Sequence, residues 1–130
     1  RGPVDWSIAM DYRFTPDEML PAPGQGALGI ECRSDDHELI DLLAQLDDPA
    51  THFATTAERA VLATLRGGCH MPLGTYATVA DDQLGLRAAV FSSDGTRSVS
   101  DSIAGSLNAA ESLGRQLAEK LIAAGAGDLM

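Results

Sequence analysis

Leu84-Gly85-Leu86-Arg87-Ala88-Ala89-Val90-Phe91 runs directly into Ser92-Ser93-Asp94-Gly95, and the reading of this stretch decides the fold. Leu84, Leu86, Ala88 and Val90 recur at every second position, the period that lines one face of a β-strand. Ser93-Asp94-Gly95 follows as a hairpin turn, since glycine reaches positive φ without steric penalty. A strand that turns back on itself needs an antiparallel neighbour. Strand-like runs on both sides, 74–80 and 96–103, supply two, so a small three-stranded antiparallel sheet is expected.

Helical patterns flank this sheet. Thr55-Thr56-Ala57-Glu58 reads as a capping box, predicting a helix over 56–66 that stops at Gly67-Gly68. Asn108-Ala109-Ala110-Glu111 opens a last helix whose stripe is Leu113, Leu117, Leu121 and Ile122, with Gly125 as its stop. Helices packed on one face of the sheet make the unit α+β. Further toward the N-terminus, Asp35-Asp36-His37-Glu38 is a second capping box, and Leu39, Ile40, Leu42, Leu43 and Leu46 give a helix with a broad apolar face. That helix is expected to pack on a further body of protein. Asp47-Asp48-Pro49 ends it, because the residue before proline is steered away from helical geometry.

Pro21 to Gly26 reads as a stiff connector with glycine pivots, a hinge, and Ala27 to Cys32 as a short strand. Residues 1–20 contain Trp6, Tyr12 and Phe14 without a clear period, and Thr15-Pro16-Asp17-Glu18 reads as a turn or short helix start. The chain thus divides into a remnant and hinge at 1–26, a strand and helix at 27–47, and a self-contained unit at 48–130. Arginine at position 1 suggests that the sequence begins within a longer protein.

Composition narrows the function. With 130 residues of which 45% are hydrophobic, the chain can bury one modest core. It holds no run approaching the roughly 20 apolar residues that span a bilayer and no signal-peptide pattern, so a soluble, cytoplasmic protein without a membrane partner is expected. A net charge of −10, with only nine Lys and Arg, argues against nucleic acid, whose phosphates need cations to displace their counterions. The two cysteines, Cys32 and Cys69, give no disulfide framework.

Gly24-Gln25-Gly26-Ala27-Leu28-Gly29 spells the dinucleotide fingerprint GxGxxG, but that motif works only between a strand and a helix N-terminus. Here prolines precede it and a strand is expected to follow, so nucleotide binding is set aside. Cys69 and His70, with His52 and Cys32, match no known zinc spacing, and no metal is expected. His37 and His52 read as solvated helix starts, and Cys32 as a small buried strand residue.

Cys69 is the candidate reactive group. It follows a helix terminus and two glycines, which leave a thiol reachable and let a bulky group approach the backbone, and Pro72 stiffens the exit. The helix C-terminus raises rather than lowers a neighbouring thiol pKa, with Arg59 and Arg66 as partial compensation. A hydrolytic nucleophile would need an oriented base, and His70 beside it on an extended loop points elsewhere. Three roles stand open on these residues alone: an anchor for a bulky ligand, a structural cysteine in an acidic α+β interaction module, and the nucleophile of a thiol-dependent hydrolase.

Two long motifs carry a resemblance. Glu58, Arg59, Leu65, Gly67, Gly68, Cys69, Pro72 and Gly74 match the pattern E-R-x-x-x-x-x-L-x-G-G-C-x-x-P-x-G, and 20–33 resembles L-P-A-x-G-Q-G-A-x-G-I-E-C-R. Both patterns, in this order, are those of the porphobilinogen deaminase family, also called hydroxymethylbilane synthase. The resemblance covers about 18–126 and implies a C-terminal part: the end of a second domain with its hinge, a strand and helix returning to a first, and a cofactor-carrying third domain. It implies a transferase of tetrapyrrole and heme biosynthesis that joins four porphobilinogen units into hydroxymethylbilane with loss of ammonia. Cys69 would hold a dipyrromethane cofactor through a thioether, with Gln25, Gly26 and Gly68 facing it. The catalytic aspartate and most arginines that bind pyrrole carboxylates would lie in N-terminal domains, so no catalytic residue is assigned here and this chain alone is expected to be inactive. Porphobilinogen, linear pyrrole oligomers and the N-terminal domains are the implied partners, with a monomeric full-length protein. Arg33 matches the second motif as a ligand or as the partner of a neighbouring carboxylate. Glu58 and Arg59 are expected to brace the helix and loop.

Overall fold

The computed structural model describes residues 11–65 and 72–129. Strands β1 (Leu73–Ala80), β2 (Gln83–Phe91) and β3 (Ser98–Ser106) pair antiparallel in the order β1-β2-β3. The register opposes Leu86 to Ala77 on one side and to Ile103 on the other. Leu84, Leu86, Ala88 and Val90 are all buried on one face, as their alternation requires. Asp81 and Asp82 close the first hairpin, with Asp81 at φ 52°, a left-handed position that aspartate tolerates better than most residues.

The second hairpin turn is held by Asp94. Its Oδ1 accepts from Ser92 Oγ at 2.6 Å, Thr96 Oγ1 at 2.8 Å and Thr96 N at 3.0 Å, while Gly95 sits at φ +71°. These donors hold the Asp94 carboxyl down at about 2, below the usual carboxylate value, the Ser92 hydroxyl contributing most.

Helix α1 spans His37–Leu43, α2 Pro49–Thr64 and α3 Ala110–Ala123. Helices α2 and α3 cross each other and cover the face of the sheet that carries Leu84 and Leu86. The core is the shared cluster of Ala57, Val61, Leu84, Val90, Leu117 and Leu121. At the helix crossing, Gly114 has no room for a side chain, since a Cβ there would stand 2.3 Å from the Ala57 carbonyl oxygen and 2.6 Å from the Ala60 Cβ. Among the described residues, no helix is long and apolar enough to cross a membrane.

Two expectations are corrected here. The helix expected over 56–66 starts seven residues earlier, at Pro49: Asp48 is its N-cap, its carboxylate accepting from Thr51 N at 2.8 Å, and proline is well suited to the first helical position. Thr55 and Glu58 lie inside the helix, and the Thr55 hydroxyl donates back to the Thr51 carbonyl at 2.9 Å. The strand expected over 27–32 is irregular and exposed, Leu28 at 96% and Ile30 at 61% of their full accessibility. A strand requires a neighbour to satisfy its backbone, and none lies beside it among the described residues. Cys32, expected to be buried, is exposed for the same reason.

Helix α1 forms where its capping box predicts, with Asp36 Oδ1 accepting from Leu39 N at 3.2 Å. None of its residues is buried, and Leu42 and Leu46 remain 59% and 68% exposed. The final helix forms and stops at Gly125, φ +96°, as expected, but Asn108 does not cap it: Asn108 lies in a 3₁₀ turn at Leu107–Ala109, and Ala109 precedes the helix without a side-chain cap. Of its expected stripe, Leu113, Leu117 and Leu121 are buried whereas Ile122 is 45% exposed, at the margin of the apolar arc.

Candidate functional site

The stiff connector read as a hinge, Pro21 to Gly26, is held against the sheet and α2. Strand β1 is an edge strand, so alternate backbone groups along its outer side lack a partner within the sheet. Thr75 N donates to the Pro21 carbonyl at 2.8 Å, and Ala77 N donates to Glu58 Oε1 at 2.8 Å. The other oxygen of the same carboxylate, Oε2, accepts from Gly24 N at 2.6 Å. Glu58 therefore joins α2, the sheet edge and the connector at one point. Leu20 lies against Gly74, where a Cβ would come within 2.7 Å of the Leu20 Cβ, and Asp17 pairs with Arg87 at 2.5 Å on the face of the sheet away from the helices. The Arg87 guanidinium also stacks 5.6 Å from the Tyr76 ring.

Glu58 is buried without a cationic partner among the described residues. Burial pushes its carboxyl above the ordinary value, opposed by the amide donors of Gly24 and Ala77. The nearby Thr75 side chain opposes the shift weakly, without the geometry of a hydrogen bond, and its buried Oγ1 meets no partner.

Within the connector, Ala22 to Gln25 closes a turn, Gln25 N donating to the Ala22 carbonyl at 3.0 Å and Gln25 Oε1 accepting from Ala22 N at 3.0 Å. Gly24 and Gly26 stand at φ +72° and +89°, conformations that cost a residue with a Cβ. Gln25 and Gly26 are both exposed, and the space beside the Gly26 Cα is open. Gly26, but not Gln25, borders with α2 a cleft of about 400 Å³ whose wall includes Gly24, Gly26, Gly29, Thr55 and Arg59. The two acidic groups at its rim are already engaged, Asp48 as the α2 cap and Asp47 beside His52 Nδ1 at 3.5 Å.

Gly68 and Cys69 lie outside the described residues. The described chain leaves α2 at Leu65 and resumes at Pro72, whose carbonyl accepts from Phe91 N at 2.9 Å. Arg33, weighed as a ligand, pairs loosely with Asp35 and Asp36 at 3.6 and 3.5 Å and is well exposed. Among the described residues no group of three His, Cys, Asp or Glu side chains could hold a metal ion.

Sequence reasoning missed the reach of Glu58. The signal was available, because Glu58 shares the inward face of α2 with Ala57 and Val61, and a carboxylate in an apolar stripe needs donors from elsewhere.

Fold and site together define a three-stranded antiparallel α+β domain with a docked connector, forming one wall of a glycine-lined cleft. The chain belongs to the porphobilinogen deaminase family. The family model for the porphobilinogen deaminase C-terminal domain matches residues 52–123, and that for the porphobilinogen deaminase dipyrromethane cofactor-binding domain matches 4–41. Among curated relatives, porphobilinogen deaminase of Acidothermus cellulolyticus is 49% identical over 121 residues, and that of Geobacter metallireducens 48% identical over 118. Each alignment covers 90% of this chain and 37% of the relative, so the chain spans little more than a third of the length of these proteins.

The cofactor-binding description falls on the stretch that contains Gln25 and Gly26. A dipyrromethane bearing acidic side chains needs N–H donors and a cation at its surface. The cleft presents the exposed Arg59 guanidinium and a glycine backbone with space beside it, so these residues fit such a group.

Proposed function

We propose that this chain is the C-terminal part of a porphobilinogen deaminase, a cytoplasmic transferase that joins four porphobilinogen units head to tail into hydroxymethylbilane, releasing ammonia. The observation that carries the reading is the pair of family matches in one chain, 4–41 and 52–123, meeting at a cleft that both segments line. Dipyrromethane, when bound, supplies a covalently held primer from which the pyrrole chain is extended.

The anchor is Cys69. Its sulfur would hold the dipyrromethane through a C–S bond to an electrophilic pyrrole methylene carbon, that bond replacing the one to the carbon's leaving group, which departs with the thiol proton. The resulting thioether is not exchanged by other thiols, which suits a group kept through many turnovers. Gln25, Gly26 and Gly68 face the anchored group, and Arg59 offers a cation to its carboxylates. With a net charge of −10, the chain needs cationic residues from the rest of the protein to hold acidic pyrroles, and alone it is inactive. The N-terminal domains, porphobilinogen and its linear oligomers are thus the partners, within a monomeric complete enzyme.

Cys69→Ser in the complete enzyme tests the role of the thiol. Loss of activity with an unchanged circular dichroism spectrum is expected; a fully active serine variant would sink the assignment.

A further inference from the structure

Three contacts hold residues 17–24 to the sheet and a fourth holds them to α2: the Asp17 pair with Arg87, the close approach of Leu20 to Gly74, the bond from Thr75 N to Pro21, and the bond from Gly24 N to Glu58. Among the described residues, such contacts stop beyond Gly26. Residues 27–35 are exposed throughout, and the ion pairs of Arg33 reach only two and three residues along the chain.

We propose that Glu58 is a positioning residue that latches the connector to the edge of the sheet, so that residues 20–26 move with the C-terminal domain. One carboxylate serves two donors far apart in sequence, Ala77 on the sheet edge and Gly24 in the connector. Neither amide has a strand partner, so releasing the carboxylate would leave Ala77 N and Gly24 N without their bonds together. The latch fixes Gln25 and Gly26 in register with the C-terminal half of α2, the helix that leads toward Cys69. The consequence for a cofactor rests on the function proposed above, whereas the latch itself concerns only this chain.

Replacing Glu58 by Gln keeps one accepting oxygen but turns an NH₂ group toward the second amide, so it can serve only one of the two donors. Amide hydrogen exchange on the full chain, followed residue by residue, is the test. In E58Q, exchange at Gly24 and Thr75 should accelerate at least tenfold relative to Leu86 and Leu117, which report on the core. Gly74→Ala is the second variant, acting through Leu20 from outside the core, and should produce the same selective acceleration with Glu58 intact. Unchanged protection of the connector in a folded variant overturns the latch. So does acceleration of the connector and core in equal proportion, which would make Glu58 a support of the global fold. Neither readout involves cofactor or activity, so failure of the latch and failure of the enzyme assignment are separable.

Discussion

The segment 27–46 is denser in leucine and isoleucine than the domain 49–129, yet the two use those side chains in opposite ways. In the domain, Leu84, Leu86, Leu117 and Leu121 are almost completely buried, each packed against both sheet and helices. In the segment, Leu28, Ile30, Leu42 and Leu46 stand 59% or more exposed although α1 is properly capped. Local signals suffice to make a helix, but a hydrophobic face becomes stabilising only when a second layer removes it from water. Here the domain has both layers and the segment has one.

Side-chain truncation separates the two regions most strongly. Leu117→Ala should cost about 2–5 kcal/mol in chemical denaturation, as expected for a methyl-lined cavity opened in a packed core. Leu42→Ala in the same chain should change stability by less than about 0.5 kcal/mol, as for an exposed side chain. A comparable loss from both would mean that α1 is packed in solution and would break the contrast.

Removing a cap sharpens the comparison at the boundary between the regions. Asp48→Ala should destabilise the chain by about 1 kcal/mol, because α2 belongs to the folded core and its first turn loses an acceptor for Thr51 N. Asp36→Ala, at the start of α1, should lower helicity in circular dichroism without moving the main unfolding transition.

The smallest effect lies in the hairpin turn and depends on pH. The folded value of Asp94 lies near 2, below the ordinary 3.8, so the unfolded chain binds its proton more readily. Its contribution is complete above the ordinary value and disappears as the pH falls through about 4 to 2. Asp94→Asn should thus unfold more easily at pH 7 and show a shallower loss of stability across that acid range, measured by thermal melts at each pH.

The regular elements were legible where the residues that define them also contact one another. The period-two alternation of Leu84 to Val90 and the Ser93-Asp94-Gly95 turn predict a sheet whose partners are both nearby in the chain. The Asp36 cap and the leucine stripe of α3 are legible for the same reason. Reading failed where a partner decides the outcome. Residues 27–32 have strand propensity but, among the described residues, no neighbour to pair with, and Asp48 before Pro49 carries two signals at once, the end of one helix and the cap of the next, of which the second starts α2 ahead of Thr55-Thr56. At the site, the two motifs pointed to Gln25, Gly26 and the approach to Cys69. That Glu58 needs donors is legible from its place on the inward face of α2, but which donors is not, because the two amides lie 34 and 19 residues away.

The most direct test of the central claim is the intact mass of the complete enzyme, followed by peptide mapping of the segment that contains Cys69. A mass increase matching dipyrromethane, confined to Cys69 and retained under thiol reduction, is the predicted result. An active preparation in which Cys69 carries no adduct would contradict the account.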